Sequence, residues 1–439
     1  MEPKDIKLEV KLETKLEIIL PTKFSEMKIN PKILNKLDIL KFEIPTPIQA
    51  KTIPLGLDGK DLIGIAQTGT GKTLAFGIPI IQKVIEEQAL ALIVLPTREL
   101  ALQVDEVFRQ VGGSLGVRTA ILIGGAPFGP QMGMIRRQPQ VVIGTPGRIN
   151  DHVKKGSISL SDCHLLVLDE ADRMLDMGFA PQIKEILKAL PPSTDRQTML
   201  FSATMPDEIA NVVTNYMKTP VRVEVARAGS VADKIEQEMY FIQKDQKLKL
   251  LNKILEQYKG SVLIFSRTKY GAKKICNELQ MSGYSSAEIH SNRSLGQRRE
   301  ALEGFKSGKY RVLVATDIAS RGIDVTGIEL IVNFDLPENA EDYVHRIGRT
   351  GRAGQKGRAI SMATLDQRHK IRNIEILTKT KLKILGDNPG AYKSNQNPQS
   401  AEKAKAFQTK RHFINRRKFD PTGRRRFGGR PEGRKQFGR

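Results

Sequence analysis

Short aliphatic runs alternate with amphipathic stretches along most of the chain. In the first half the runs are LIGIA, ALIVLP, TAILIGG, QVVIGT, LLVLDE and QTMLFSAT, with helical segments such as KEILKAL between them. A second series, SVLIFS, AEIHS, RVLVATD and IELIVNFD, follows the polar stretch ARAGSVADK. Continuous apolar strands separated by helices are typical of a parallel sheet covered on both faces. The pattern therefore predicts an α/β protein with two tandem parallel-sheet domains.

The length agrees with two domains. A single hydrophobic core rarely grows beyond about 250–300 residues, and this chain has 439. We predict an N-terminal extension over 1–21, a first domain over 22–225, a linker over 226–232, a second domain over 233–383 and a tail over 384–439. In the extension, apolar residues at even positions from 6 to 18 indicate a strand. Leu8, Leu12 and Leu16 would also align on a helix, and a weakly ordered segment is the third alternative.

The charge points to a polyanionic partner. The formal net charge is +23, and 14 Lys or Arg against 3 Asp or Glu place +11 of it in residues 401–439. Glycine and arginine with few aliphatic residues predict a tail that is disordered when free. Five phenylalanines recur among the arginines, a pattern suited to base stacking and phosphate neutralisation: Phe407, Phe413, Phe419, Phe427 and Phe437. A tail that only keeps the protein soluble is the alternative.

Cysteine usage and hydropathy indicate a cytoplasmic protein. Cys163 and Cys276 lie in different halves, with no disulfide framework, so we expect two reduced, packed thiols. The longest apolar run, ALALIVL, is far shorter than the roughly 18 residues of a membrane span. The N-terminus has no signal-peptide pattern.

A phosphate-binding loop is predicted at residues 66–73, AQTGTGKT, between the strand DLIGI and the helical LAFGIPIIQKVI. Glycines let successive backbone N–H groups point into one concavity at the start of a helix. Lys72 can reach the β and γ phosphates of a nucleotide, and Thr73 can offer its hydroxyl to Mg²⁺. The candidate nucleotide-binding residues are Ala66, Gln67, Thr68, Gly69, Thr70, Gly71, Lys72 and Thr73. A glycine-rich turn with a chance lysine is the alternative.

Three acidic residues follow the strand LLVL: Asp169, Glu170 and Asp172. In P-loop NTPases an acidic residue at the end of a neighbouring strand holds the Mg²⁺ that bridges the phosphates. Asp169 fits that role with Thr73, and Glu170 suits a base that orients the attacking water. The alternative is a solvated helix start, where acidic residues are also favourable.

Together with the phosphate loop, DEAD at 169–172 resembles the signature of the DEAD-box RNA helicases, whose motifs recur in the family's order over roughly 24–365. The resemblance implies two RecA-like domains, and the short basic tail is similar to that of the bacterial RhlE-like branch. FEIPTPIQ at 42–49 resembles the Q motif, which implies that Gln49 reads the adenine edge and Phe42 stacks on the ring. Phe24 matches an isolated upstream aromatic, and Lys41 stands where the family usually has glycine.

The same resemblance implies an RNA path on both domains. The matching positions are Pro96, Thr97, Arg98, Gly124, Gly125, Thr145 and Arg148 in the first domain, and Arg267, Thr268 and Thr316 in the second. Arg98 and Arg148 are suited to neutralising phosphates on chemical grounds alone. By the same analogy Asp324 contacts the ribose of the nucleotide. Asp172, Ser202 and Thr204 couple nucleotide state to RNA binding.

HRIGRTGR at 345–352 resembles the family's arginine motif. It implies that Arg349 and Arg352 contact the γ-phosphate while His345 and Arg346 connect to the first domain. A basic helix end that binds RNA phosphates is the alternative. Leu295 stands where the family commonly has glutamine, three residues before Arg298, so we expect a polar contact to be lost there.

The candidate ATP residues are divided between the domains, so the site is complete only when the domains close. RNA that spans both domains favours closure, and closure raises the affinity for both ligands. We therefore expect an ATP- and Mg²⁺-dependent RNA helicase that unwinds short duplexes locally. An ATP-gated RNA clamp or annealing chaperone is one alternative, and a P-loop ATPase acting on DNA or protein is another. We expect a monomer, with ribosomal or RNA-decay proteins as candidate partners.

Overall fold

The computed structural model describes residues 21–66, 69–225, 235–317, 325, 327–351 and 357–385. Predictions for residues 1–20, for the linker and for nearly all of the tail lie outside these ranges. Four candidate site residues also lie outside them: Gln67, Thr68, Asp324 and Arg352.

The first lobe is built on a seven-stranded parallel sheet with the order β3-β4-β2-β5-β6-β1-β7. Its strands are β1 (Leu62–Ile65), β2 (Ala91–Val94), β3 (Thr119–Leu122), β4 (Val141–Gly144), β5 (Leu165–Leu168), β6 (Gln197–Ser202) and β7 (Val221–Glu224). Its helices are α1 (Pro31–Ile39), α2 (Pro47–Leu57), α3 (Lys72–Glu87), α4 (Arg98–Gly112), α5 (Phe128–Ile135), α6 (Pro146–Lys154), α7 (Ala171–Asp176), α8 (Ala180–Ala189) and α9 (Asp207–Tyr216). Short 3-10 helices cover Phe24–Glu26, Gly113–Leu115 and Ser193–Asp195.

The second lobe has its own seven-stranded parallel sheet, with the order β10-β11-β9-β12-β13-β8-β14. Its strands are β8 (Ile235–Phe241), β9 (Val262–Phe265), β10 (Ser286–Ile289), β11 (Val312–Ala315), β12 (Leu330–Asn333), β13 (Gly357–Ala363) and β14 (Lys383–Leu385). Its helices are α10 (Lys247–Gln257), α11 (Lys269–Met281), α12 (Leu295–Lys306), α13 (Ala340–Ile347) and α14 (Arg368–Thr378), with a 3-10 helix at Leu365–Gln367.

The two sheets repeat one topology. Each strand of the second sheet occupies the place of the strand numbered seven lower in the first, and all pairs are parallel in both. This arrangement confirms the predicted α/β class with two tandem parallel-sheet domains.

Each sheet is buried on both faces. Along β5, Leu165 and Val167 join one apolar cluster, while Leu166 and Leu168 join a different cluster on the opposite face. Successive side chains of a strand point to opposite faces. A sheet covered on both sides therefore requires a continuous apolar run rather than an alternating one.

The crossover helices place the site at one edge of each sheet. In open α/β sheets, ligands bind outside the carboxyl ends of the strands. The carboxyl ends of β1, β2, β4 and β5 lead into α3, α4, α6 and α7, which carry the predicted site residues at or beside their first turns. Cys163 and Cys276 are free and buried, as predicted. None of the helices within the described ranges has both the length and the apolar character needed to cross a bilayer.

Candidate nucleotide and RNA site

The phosphate loop leads from β1 into α3 through two glycines in the left-handed region. Gly69 has φ +83° and Gly71 has φ +86°, conformations that glycine adopts without steric cost. A Cβ at Gly71 would also overlap the side-chain amide of Gln49. Lys72 is buried at the start of α3, and its Nζ donates to the Ala66 carbonyl at 3.1 Å. Its charge is therefore held beside the loop.

Gln49 connects the Q-motif segment to the phosphate loop. Its Nε2 donates to the Gly71 carbonyl at 2.9 Å, and its Oε1 accepts from the Thr46 backbone N–H at 2.9 Å. Phe42, which lies seven residues before Gln49 in the sequence, is partly exposed. Lys41 has φ +60°, which explains why glycine suits this position and gives lysine a local cost of roughly 1–2 kcal/mol. The adenine contacts of Gln49 and Phe42 stay predictions.

Asp169 is a buried carboxylate whose pKa departs from its ordinary value. It follows β5, and burial raises its pKa to about 6 because the charged form loses hydration. The charge of Lys72 acts in the opposite direction, while Glu170 raises the pKa further. Asp169 Oδ1 also accepts from the Glu170 backbone N–H at 3.0 Å.

Glu170 occupies a different environment from its neighbour. Its backbone is in the left-handed region, with φ +53° and ψ +48°, at the N-cap of α7. Such a conformation costs a non-glycine residue of order 1–3 kcal/mol and is most often found at functional sites. The Glu170 Oε2 lies 3.6 Å from Nη1 of Arg173, and both side chains are buried. The turn thus gives Asp169 and Glu170 different cationic partners.

Hydrogen bonds of Asp172 connect the acidic segment to the end of β6. Its Oδ2 accepts from the backbone N–H of Ala203 at 3.1 Å, and from the N–H and hydroxyl of Thr204, both at 2.9 Å. The Asp172 backbone N–H donates to the Ser202 hydroxyl at 3.2 Å. The structure therefore brings together the three residues of this lobe that were predicted to couple nucleotide and RNA binding.

The candidate RNA residues of the first lobe lie on the other half of the same sheet edge. They follow β2, β3 and β4, whereas the phosphate loop and Asp169 follow β1 and β5. The Thr97 hydroxyl accepts from the Leu100 backbone N–H at 3.3 Å, and Thr145 is the N-cap of α6. Arg148 Nη1 donates to the Ala126 carbonyl at 3.0 Å. Pro96 is buried beside Thr97.

Arg98 approaches the loop after β3 closely. Gly125 has φ +73°, and a Cβ there would overlap the Arg98 guanidinium. Burial, together with the charge of Arg298, lowers the pKa of Arg98. Arg98 and Arg148 therefore flank the Gly124–Gly125 turn, which leaves two guanidinium groups at one surface.

In the second lobe the equivalent half of the sheet edge carries the remaining candidates. Thr268 caps α11, its hydroxyl accepting from the Gly271 backbone N–H at 3.0 Å. Arg267 is exposed, 3.5 Å from Glu338. The Thr316 backbone N–H donates to the Ile289 carbonyl at 3.3 Å. The contacts of these three residues with RNA stay predictions.

Among the described residues, the hydrogen bonds of Arg346 are made to groups of the second lobe. Its Nε and Nη2 donate to the two carboxylate oxygens of Asp317, at 2.6 and 2.7 Å. Its Nη1 donates to Asn333 Oδ1 at 3.2 Å and to the Asp335 carbonyl at 2.6 Å. Arg346 thus holds the second lobe together at this point.

A small pocket joins the arginine motif to the first lobe. Arg173 lines it together with His345, Arg346 and Arg349, and its volume is about 10 Å³. Arg349 is buried. Since Arg173 also pairs with Glu170, the same side chain contacts the candidate base and lines the pocket beside the arginine motif. Sequence reasoning missed Arg173, although its spacing of three residues from Glu170 on one helix was a usable signal.

An ion pair joins the two lobes beside the RNA candidates. Arg298 Nη2 of α12 lies 2.7 Å from Oε1 of Glu99, and both side chains are buried. Burial raises the pKa of Glu99, and the charge of Arg298 opposes that shift. Leu295, one turn earlier on α12, packs against the apolar core of the first lobe. From the sequence we expected only the loss of a polar contact at this position. In the structure, Leu295 makes an apolar contact between the lobes.

We expect Arg298→Met to weaken ATP-dependent RNA binding by roughly tenfold. Breaking a buried ion pair costs about 3–5 kcal/mol when the remaining charge stays buried, but separation of the lobes would hydrate Glu99 and reduce the loss. Fluorescence anisotropy with labelled RNA and a non-hydrolysable ATP analogue measures the effect. Lys306→Met, at an exposed position in the last turn of the same helix, is the matched control. Equal affinities of the two variants would show that the pair has no part in closure.

Both lobes of the chain are similar to known proteins. Residues 46–212 match the family model of the DEAD/DEAH box helicases, and residues 246–354 match that of the helicase conserved C-terminal domain. An ATP-dependent RNA helicase CshA of Listeria monocytogenes is 43% identical over 367 residues, covering 83% of this chain and 70% of the relative. The DEAD-box ATP-dependent RNA helicase CshA of Geobacillus kaustophilus is 43% identical over 364 residues, covering 82% and 78%. The structure of S. cerevisiae Dbp5 bound to RNA and ADP BeF3 aligns with a TM-score of 0.74 at 28% identity, covering 83% of this chain and 96% of that one.

Two parallel-sheet lobes with one phosphate loop, a buried acidic segment and a facing arginine motif define a two-domain P-loop ATPase of the helicase type. The chain belongs to the DEAD-box family of ATP-dependent RNA helicases. Its two sheets are the tandem RecA-like domains that the resemblance implied. The narrower similarity to the RhlE-like branch stays a prediction, since both relatives above carry the name CshA.

Proposed function

We propose that this chain couples RNA-stimulated ATP hydrolysis to the local, non-processive separation of short RNA duplexes. One observation carries the proposal. The nucleotide residues and the RNA candidates occupy two halves of one sheet edge, and the Glu99–Arg298 pair joins the lobes next to Arg98. Contacts that form when the lobes close therefore adjoin both ligand sites.

The first lobe supplies the groups that hold and activate the nucleotide. The backbone N–H groups of the phosphate loop and Lys72 bind its phosphates. Glu170 orients the attacking water and takes up its proton, while Arg349 of the second lobe stabilises the charge that develops on the transferred phosphoryl group.

The residues present fit a magnesium ion. Asp169 is buried with a raised pKa, so a cation opposite it would stabilise its ionised form, and the half-buried Thr73 opens α3 with a hydroxyl. Asp169 and Thr73 would hold the ion. When bound there, the ion would neutralise negative charge on the phosphates of the nucleotide.

RNA acts on this site through closure. A strand that contacts Arg98 and Arg148 on one lobe and Arg267 on the other favours the arrangement in which the lobes meet. By reciprocal linkage, the same closure raises the affinity for ATP. Base-pair stacking is worth about 1.4 kcal/mol per step in DNA, so one local distortion of a strand can release only short duplexes.

ATP hydrolysis and strand displacement test the proposal together. Turnover should rise on addition of single-stranded RNA, and a short RNA duplex should separate with ATP. Stimulation without strand release would favour the RNA clamp or annealing chaperone. Equal stimulation by DNA, or none by RNA, would favour a P-loop ATPase with a different substrate.

Deleting residues 401–439 should weaken RNA affinity and flatten its salt dependence. The segment carries a net charge of +11, and each phosphate contact adds about 0.9 to the slope of log affinity against log salt on duplex DNA and about 0.7 on single strands. Anisotropy titrations at several salt concentrations measure the slope. An unaltered slope would show that the tail only keeps the protein soluble. The cytoplasmic location of the protein, its monomeric state and its ribosomal or RNA-decay partners stay predictions.

A further inference from the structure

A basic aromatic surface opens α11. Tyr270 is 71% exposed, and the Lys269 Nζ lies 5.3 Å from its ring centroid. Lys273 and Lys274 are exposed three and four residues later, which places them on the same helix face as Tyr270. We call these four residues, Lys269, Tyr270, Lys273 and Lys274, the α11 platform. One solvent-facing ring thus shares a helix face with two exposed lysines and has the Lys269 ammonium group beside it.

The repeated topology gives the platform a counterpart. Helix α11 follows β9 as α4 follows β2, and these strands hold equivalent places in the two sheets. Both helices are capped by a threonine whose hydroxyl accepts from the third helical N–H, Thr97 in α4 and Thr268 in α11. Lys269 therefore stands in the second lobe where Arg98 stands in the first.

Direct contacts connect the two positions. Lys269 Nζ donates to Asn292 Oδ1 at 2.9 Å, in the loop that precedes α12. From α12, Arg298 reaches across the lobes to Glu99, the residue next to Arg98. The α11 platform therefore lies next to the place where α12 contacts the first lobe, on the same side as the candidate RNA residues.

We infer that the α11 platform binds single-stranded RNA, with an unpaired base stacked on Tyr270 and the flanking phosphates near the lysines. An exposed aromatic ring among cations suits this ligand, because stacking accepts every base and the ammonium groups neutralise the backbone. The bases of an intact duplex are already stacked on each other, so the platform would favour the strand over the duplex. The inference rests on the proposed RNA-binding function.

Truncation of the ring tests the stacking. Tyr270→Ala should weaken binding of a short oligouridylate by roughly fivefold to a hundredfold, whereas Tyr270→Phe, which keeps the ring, should bind within about twofold of the wild type. Met281→Ala is the matched control, because Met281 is 74% exposed at the other end of α11. Both positions face solvent, so thermal unfolding should change little.

An inserted fluorophore gives a second, direct readout. The chain contains no tryptophan, so Tyr270→Trp and Met281→Trp each introduce one indole. Titration with oligouridylate, in the presence of a non-hydrolysable ATP analogue and Mg²⁺, should quench the indole at position 270 and leave that at 281 unchanged.

The outcomes separate the platform from the helicase assignment. If the wild type binds RNA but Tyr270→Ala binds equally well and neither indole responds, the inference that the α11 platform binds RNA is wrong. A protein partner would then be the candidate ligand of this surface. If the wild type itself fails to bind RNA, the platform and the proposed function both fail.

Discussion

Glu170→Gln should lose ATP turnover while it continues to bind ATP. General acid–base groups contribute roughly 10²–10⁴ in rate, and glutamine keeps the size of the side chain while removing its basicity. The buried Arg173 at 3.6 Å then faces a neutral amide, which leaves the cation without its partner. Steady-state hydrolysis at saturating RNA, combined with binding of a fluorescent ATP analogue, measures both properties.

Glu87→Gln, at the exposed end of α3, is the control for loss of one acidic residue from the same lobe. It should hydrolyse ATP at the wild-type rate. Wild-type turnover in Glu170→Gln would remove Glu170 from the mechanism. Loss of ATP binding would instead show that its place in the left-handed turn is mainly structural.

Arg349→Ala should lower kcat by roughly 10³–10⁵, the range found for arginine fingers in other NTPases. The binding of ATP to the first lobe should persist, because Lys72 and the phosphate loop are unchanged. The expected signature is a large loss in kcat with little change in nucleotide affinity.

Arg349 is buried, so its removal requires a check on folding. Thermal unfolding of Arg349→Ala, and of Arg372→Ala on the exposed face of α14, separates lost stability from lost chemistry. A folded Arg349→Ala protein that hydrolyses ATP at a near-normal rate with RNA would exclude the finger role.

Sequence patterns predicted the strands in which every side chain is buried. The run LLVL predicted β5 because a strand buried on both faces must be apolar at every position. The phosphate loop was predictable for a similar reason, since strand, glycine turn and helix are local in the chain. Asp172 with Ser202 and Thr204 required the family resemblance, because these residues are joined only through the sheet.

Contacts between the lobes had no local signal. Glu99 occurs within PTREL and Arg298 on a distant helix, and neither spacing nor composition connects them. The left-handed backbone of Glu170 was equally hidden, since glutamate has no preference for that conformation. From the sequence, Leu295 was interpreted as the loss of a glutamine amide. Its side chain packs against the apolar core of the opposite lobe, which the residues around it in the sequence do not indicate.

The two lobes share one strand order, so positions in the second lobe can be compared with those of the nucleotide site in the first. In the second lobe, Lys247 begins α10 as Lys72 begins α3, and Asp335 follows β12 much as Asp169 follows β5. There the lysine and the aspartate satisfy each other at 3.0 Å, and the segment IQKDQ between β8 and α10 has no glycine. In the second lobe an ion pair therefore occupies the place that corresponds to Lys72 and Asp169 in the first. Each molecule should therefore bind one ATP, and calorimetric titration should give a stoichiometry of one rather than two.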